Sequence, residues 1–115
     1  MTTNQLVSDL RAARRLVKRG WTRNAWARSR DGRAVHQFSR VAVRFSLSGA
    51  IYRVTTYPPS SGQDCYSVLI KAIGCRSEGL ANWNDRQKSK RPVLAAFDRA
   101  IVMQGTTENE RRRST

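Results

Sequence analysis

The fold of this 115-residue chain is decided by residues 79–101, which read GLANWNDRQKSKRPVLAAFDRAI. The segment begins with an apolar turn at Leu80 and Trp83, and an Asn-Asp elbow follows, which side-chain hydrogen bonds can close. A helix with an apolar stripe comes next, and Ser89 is its expected N-cap. We expect this helix to cover a compact body formed by the preceding residues. The stripe consists of Val93, Ala96, Phe97, Ala100 and Ile101.

Residues 4–19 are predicted to form the first helix, because apolar side chains recur with the spacing of one helix face. Asn4 is the expected N-cap and Gly20 the stop. The cations of this helix gather towards its C-terminus, where the helix dipole favours them. They form either a solvated face or half of a phosphate-binding surface. The apolar face is Leu6, Leu10, Ala13 and Val17, and the cations are Arg11, Arg14, Arg15, Lys18 and Arg19.

A β-hairpin is predicted after Trp21. Residues 22–29 alternate as a short strand, Asp31-Gly32 carries the turn signal, and Ala34-Val35 can pair back. Trp26 lies in the first strand among arginines, where it could stack on a base, although a tryptophan more often belongs to the core. The arginines of the hairpin and its flanks are Arg23, Arg28, Arg30 and Arg33.

Residues 40–56 fit two structures. Val41, Val43, Phe45 and Leu47 alternate as in a strand, whereas a helical stripe fits over a longer span. We predict a helix on length, with Ser39 as its N-cap. Ser46, Ser48, Gly49 and Ala50 are small, which predicts that another element approaches closely there. Gly49 costs about 1 kcal/mol relative to alanine inside a helix.

The remaining elements complete a mainly α (small α+β) fold. Tyr57-Pro58-Pro59 breaks the chain, a helix is predicted over 62–73, and Gly74 ends it. The chain therefore predicts about four helices with one β-hairpin in a single compact domain, 1–104. Residues 105–115 are predicted to be a disordered basic tail.

The charge of the chain is its most informative property, with 22 Lys and Arg against 8 Asp and Glu, a net +14. All but the three arginines 111–113 precede the predicted tail, so the charge belongs to the folded body. Such an imbalance destabilises a fold by self-repulsion unless a partner compensates it. Nucleic acid is the usual partner, and an acidic protein or a ribonucleoprotein surface is the alternative.

The motif search points away from catalysis. The chain has no phosphate-binding glycine loop, zinc-protease motif or nucleophile elbow. With His36 as the only histidine, Cys65 and Cys75 cannot complete a zinc site and are expected to be free thiols, Cys65 buried and inert. Asp31, Glu78 and Asp85 could share a divalent metal only if the fold brought them together. We therefore predict no enzyme and no cofactor.

The first residues lack a signal peptide, and no apolar run is long enough to cross a bilayer, so we expect a cytoplasmic protein without a membrane partner.

Four motifs resemble a family of small bacterial and phage proteins of unknown function. They are Gly20-Trp21, the turn Asp31-Gly32-Arg33, the segment 42–51 and Trp83-Asn84-Asp85 followed by Asp98-Arg99-Ala100-Ile101. The likeness covers roughly residues 5–102. Many relatives carry a cysteine at the position of Ser46 and acidic residues at the start of the last helix, where this chain is basic. The resemblance implies a shared fold and a phage or mobile-element setting, and no activity.

From these observations we predict a protein that binds DNA or RNA through its phosphates with weak sequence preference. The alternative is a phage-encoded inhibitor that docks on an acidic host defence or regulatory protein or on a ribonucleoprotein. A third reading is a pocket for a nucleotide second messenger, with Trp26 or Trp83 stacking. The predicted contact residues are Arg11, Arg14, Arg15, Lys18, Arg19, Trp26, Arg28, Arg30, Arg33, Arg86, Lys88, Lys90 and Arg91.

Overall fold

The computed structural model describes the backbone of residues 3–55 and 60–113 and the side chains of residues 4–55 and 62–105. This part of the chain contains five helices and a small three-stranded antiparallel sheet, one helix more than the sequence predicts. The elements in chain order are α1 Thr3–Arg19, β1 Ala27–Arg28, β2 Ala34–Val35, β3 Arg44–Phe45, α2 Leu47–Val54, α3 Ser60–Ile73, α4 Leu80–Arg86 and α5 Arg91–Arg113.

The first helix, α1, buries the predicted face. Its four apolar residues, Leu6, Leu10, Ala13 and Val17, are all in the core. The helix already includes Thr3, so the prediction of Asn4 as N-cap is wrong. The helix ends before Gly20, as predicted, and a Cβ at Gly20 would lie 2.5 Å from the carbonyl oxygen of Val43. Its small size therefore admits the chain that leads into β3.

The predicted hairpin is confirmed, and a third strand is added to it. The prediction that its first strand spans 22–29 is wrong, because β1 is only Ala27–Arg28 and Trp26 lies before it. Asn24 takes a φ of 63°, which is outside the extended region that a strand needs. Ala27 of β1 faces Val35 of β2, and Gly32 takes a φ of 88° in the connecting turn. On its other side β1 pairs with β3, so that Ala27 also faces Phe45 and the sheet order is β2-β1-β3. The hairpin is thus supported by β3, which in turn packs on α1 and α2.

The segment 40–56 contains both structures that its pattern allows. β3 comes first and α2 follows at Leu47, so the prediction of one helix beginning near Ser39 is wrong. Ser46 is the actual N-cap, because its Oγ accepts from the backbone N–H of Gly49 at 3.0 Å. Pairing with β1 draws the first half of the segment into the sheet, and propensity alone does not report that tertiary contact.

Gly49 confirms the predicted close approach. A Cβ at this position would lie 1.9 Å from the carbonyl oxygen of Trp26. The chain before β1 therefore lies directly against the first turn of α2, and only glycine fits.

The C-terminal half differs from the prediction mainly at helix boundaries. α3 ends before Gly74, which has a φ of 78° as expected for a helix stop. α4 continues through Asn84 and Asp85, so these residues are helical and do not form the predicted elbow turn. α5 begins at Arg91, two residues after the predicted cap Ser89. It continues to Arg113 and so crosses the predicted domain boundary at 104; that boundary and the disorder of the tail stay predictions.

The core forms where α1 packs on α5 and on α2, and α3 packs on α5. Phe97 is the largest fully buried side chain of the described residues. Cys65 and Cys75 are both free, as predicted, and Cys65 is buried, as predicted; Cys75 is buried as well. The predicted break at Tyr57, Pro58 and Pro59 lies outside the described residues. Across the described ranges, every helix is too short or too polar to cross a membrane.

Candidate nucleic-acid interface

Asn84 holds the chain after α1 against α4 and α2. Its side chain is completely buried and has four hydrogen bonds. Oδ1 accepts from the indole N–H of Trp21 at 2.8 Å and from the backbone N–H of Leu47 at 3.1 Å. Nδ2 donates to the carbonyl of Thr22 and to Oδ1 of Asp85, each at 3.1 Å. This fully satisfied side chain fixes residues 21–24 beside the end of α4.

The end of α1 and the loop before α5 meet beside that junction. The ammonium of Lys90 donates to the carbonyl of Lys18 at 2.7 Å. The guanidinium of Arg23 donates to the carbonyl of Gln87 at 2.9 Å. These contacts bring three basic segments together, and we call the result the basic elbow surface. It consists of Lys18, Arg19, Arg23, Lys88, Lys90 and Arg91, all exposed.

Lys90 also has a structural reason to be basic. A cation just before α5 opposes the dipole of α5, but the same ammonium lies at the C-terminus of α1, where a positive charge is favourable. Lys88 and Arg91 have no such contact among the described residues. Their charge is therefore the part of this loop that local structure does not explain.

Three carboxylates of the described residues form ion pairs, and each of them pairs with a cation outside this surface. Arg14 forms an ion pair with Asp98, in which Nε of Arg14 lies 2.8 Å from Oδ1 of Asp98. Arg33 pairs with Asp31 at 3.3 Å, and Nη2 of Arg86 donates to Glu78 at 2.8 Å.

Two of these carboxyls have perturbed acidity. The pKa of Glu78 is lowered chiefly by the hydrogen bond from Arg86, and the pKa of Asp31 is lowered chiefly by the hydroxyl of Ser29. Thus Arg14, Arg33 and Arg86, although predicted as contact residues, already have acidic partners. The six cations of the basic elbow surface have none among the described residues.

The other predicted cations divide into two groups. Arg11 and Arg15 are exposed on the outer side of α1, and Arg30 is exposed at the hairpin turn. Arg28 is different, because its guanidinium donates to Thr22 Oγ1 and to the carbonyl of Gly32 at 2.8 Å each, and to the carbonyl of Arg23 at 3.2 Å. Arg28 therefore holds the hairpin against residues 22–23, a role that the sequence analysis missed.

Trp26 is exposed and does not belong to the core. Its side chain is 46% exposed, and its ring lies 5.5 Å from that of Tyr52 at an angle of 37°. A pocket of about 380 Å³ opens beside it, between the first turn of α2 and α4. Trp83, the other predicted stacking residue, is half-buried against the core.

The predicted metal ligands and the candidate nucleophile are separate features of the described residues. The described residues contain no group of three or more His, Cys, Asp or Glu side chains that could hold a metal, so the hypothetical set of Asp31, Glu78 and Asp85 is not assembled. Burial raises the pKa of the Cys65 thiol to about 12, which keeps it protonated and unreactive. His36 is exposed, and its Nδ1 accepts from the backbone N–H of Phe38 at 3.1 Å.

Comparison with known proteins places this chain in a family. It belongs to a family of unknown function, DUF6197, whose model matches residues 1–102. That range contains the sheet, α1 to α4, the basic elbow surface and the start of α5. No curated protein and no solved structure matches the chain at a significant level.

Sequence reasoning missed several residues of this region. Arg23 was noted only as a hairpin flank, and Ser48 only as a small residue. Asn24 was placed only within the predicted strand 22–29, yet it has a φ of 63° and donates its backbone N–H to Oδ1 of Asp85 at 2.8 Å. Asparagine tolerates this left-handed conformation better than most residues, which is the one sequence feature that could have indicated it.

Proposed function

We propose that this protein binds nucleic acid through the phosphate backbone, with weak sequence preference. The setting we propose is the cytoplasm of a cell that carries a phage or a mobile element, and we assign no catalytic residue. The observation that carries the proposal is the basic elbow surface, in which six cations from three chain segments adjoin without a carboxylate partner among the described residues.

Electrostatics explains why phosphates suit this surface. Like charges held together repel one another, and a polyanion relieves that repulsion while releasing its own condensed counterions. Arg19, Arg23 and Arg91 present planar guanidinium groups, which bind phosphate oxygens in pairs. The exposed Arg11 and Arg15 extend the positive charge along α1.

The experiment compares two double variants that remove the same charge from different places. Lys88→Gln with Arg91→Gln alters the basic elbow surface, whereas Lys71→Gln with Arg76→Gln alters exposed cations at the end of α3 and just after it. Binding to duplex DNA, single-stranded DNA and RNA is titrated at two or more salt concentrations. All four changed side chains are exposed, so folding is expected to be preserved.

We expect the elbow variant to bind more weakly and to lower the slope of log affinity against log salt by about 2, one for each lost phosphate contact. The α3 variant should change the slope by less than half of that. If both variants lost the same affinity, binding would depend on the overall charge of the protein and not on the basic elbow surface. Absence of binding by the parent chain at low salt would exclude the proposal.

A second candidate function rests on an apolar groove beside the hairpin. Val35, Val41 and Val43 line it with Arg30 and Arg33, and Val41 is 57% exposed. An exposed apolar strip flanked by arginines is typical of a protein-binding surface. It favours the alternative of an inhibitor docked on an acidic host protein.

The test of this alternative is a pull-down from nuclease-treated lysate with the parent chain and Val41→Glu. A partner that survives nuclease and is lost from Val41→Glu supports docking. Loss of every partner on nuclease treatment contradicts it.

A further inference from the structure

The pocket beside Trp26 is lined in part by polar side chains, two of which have an atom without a hydrogen-bond partner among the described residues. It measures about 380 Å³ and lies where the loop before β1, the first turn of α2 and α4 meet. Its lining includes Asn24, Trp26, Ser46, Ser48, Ala81 and Asp85.

Ser48 supplies an unpaired hydroxyl at this pocket. The residue is only 4% exposed, and its Oγ has no hydrogen-bond partner among the described residues. Buried hydroxyls are nearly always hydrogen-bonded, so an orphan one indicates a missing partner. Its neighbour Ser46 shows the contrast, because the Ser46 hydroxyl caps α2 by accepting from Gly49.

Asp85 supplies an unused acceptor. Its Oδ1 accepts from the backbone N–H of Asn24 at 2.8 Å and from Nδ2 of Asn84 at 3.1 Å. These bonds fix the carboxylate, and Oδ2 has no partner among the described residues. A negative charge in the lining disfavours a phosphate here, even though Ser48 lies in the first turn of α2, near the positive end of its dipole.

We propose that this pocket binds one unstacked base of a single strand, namely a base with an exocyclic amino group next to a ring-nitrogen acceptor on its Watson–Crick edge. Adenine and cytosine have this pattern. The amino group donates to Oδ2 of Asp85, the ring nitrogen accepts from the hydroxyl of Ser48, and the base stacks on the indole of Trp26.

Uracil and thymine present a carbonyl and a ring N–H in the reverse order. They would leave the carboxylate of Asp85 facing a carbonyl oxygen, and a site built to hydrogen-bond one pattern rejects the analogue that lacks it. The pocket therefore predicts a base preference on top of phosphate binding.

This inference rests on the proposed function, because the strand that delivers the base is held by its phosphates. The two surfaces adjoin at residues 23–24. Asn24 lines the pocket, and the preceding Arg23 belongs to the basic elbow surface and donates to the carbonyl of Gln87.

The test uses nucleosides, which carry no phosphate and so bypass the basic elbow surface. The ¹⁵N-labelled full chain is titrated with adenosine, cytidine and uridine, and the indole N–H signal of Trp26 and the amide signal of Ser48 are followed by NMR. We expect saturable chemical-shift changes with adenosine and cytidine. The affinity for uridine should be lower by about tenfold or more.

Three variants assign the preference to the proposed groups. Ser48→Ala should lower the affinity for adenosine, whereas Ser67→Ala, an exposed serine of α3, should not. Asp85→Asn keeps an oxygen for the N–H of Asn24 and turns the free acceptor into a donor, so the preference should shift towards uridine.

Equal responses to adenosine and uridine, or no response in the parent chain, would overturn the inference without any variant. An adenosine affinity unchanged in Ser48→Ala would also overturn it. Failure of the proposed function has a different signature: nucleosides still bind with the expected preference, and oligonucleotide binding shows no salt dependence.

Discussion

The indole N–H of Trp21 donates to Oδ1 of Asn84 at 2.8 Å, although 63 positions separate the two residues in the sequence. The same oxygen accepts from the backbone N–H of Leu47, so one amide joins the exit of α1, the start of α2 and α4. The basic elbow surface and the pocket beside Trp26 both lie next to this junction. Their shapes therefore depend on Asn84.

Replacing Asn84 by alanine should destabilise the fold by about 3 kcal/mol. Two N–H donors and the carbonyl of Thr22 would lose their partner, and each unsatisfied buried group costs roughly 1–3 kcal/mol. Urea unfolding measures the difference. Asn82→Ala is the matched control on the same helix, because its exposed side chain bonds only the carbonyl of Glu78, and a change within about 0.5 kcal/mol is expected. Similar losses in both variants would contradict the role of Asn84.

Gly49→Ala should destabilise the protein by about 3 kcal/mol, although alanine is normally the better helix former. The added Cβ would lie 1.9 Å from the carbonyl oxygen of Trp26, which is backbone and cannot rotate away. The control is Gly105→Ala in α5, where a Cβ meets nothing within 4 Å and a gain of up to about 1 kcal/mol is expected. Thermal unfolding of both variants checks the sign, and a stabilised Gly49→Ala would refute the close approach.

Arg28→Ala should destabilise the hairpin by about 1–2 kcal/mol, since three charge-assisted hydrogen bonds are lost from a half-exposed guanidinium. Arg30→Ala, an equal change of charge at the exposed turn, should cost no more than about 0.5 kcal/mol. Chemical denaturation distinguishes the two variants. An equal loss of stability in Arg28→Ala and Arg30→Ala would contradict the inference that Arg28 holds the hairpin against residues 22–23.

Cys65 should resist alkylation in the native protein. Burial raises its pKa from 9.0 to about 12, so at pH 8 the folded chain holds about a thousandfold less Cys65 thiolate than an unfolded chain does. Because the folded pKa is the higher one, this group stabilises the fold fully below about pH 9, and the contribution is lost as the pH rises towards 12.

The measurement is iodoacetamide labelling at pH 8 with and without urea, read by peptide mass spectrometry. Labelling of Cys65 at the same rate in both conditions would contradict its burial.

The sequence predicted correctly those helices and turns that depend only on residues near them in the chain. The stripe of α1, the Asp31-Gly32 turn and the stop at Gly74 need only neighbouring residues, and the structure has all three. The division of residues 40–56 could not be predicted in the same way, because β3 exists only through its pairing with β1.

The candidate site was predictable in its charge and not in its geometry. The run from Arg86 to Arg91 is visible as a basic segment, but its contact with Lys18 crosses 72 positions. Arg28 and Arg86 are indistinguishable from free cations in the sequence, since their partners are backbone carbonyls and a distant carboxylate. Asn84 was expected to close a local turn, and only tertiary packing gives it four partners at once.

The packing of α1 on α5 affects how the protein is made on the ribosome. α1 emerges before α5, which is one of the helices that pack on it. At the usual translation rate of 5–20 residues per second, the apolar surface of α1 that packs on α5 stays uncovered for roughly ten seconds before α5 is made. A slow stretch of translation in the second half of the message would lengthen that exposure and raise the demand for chaperones.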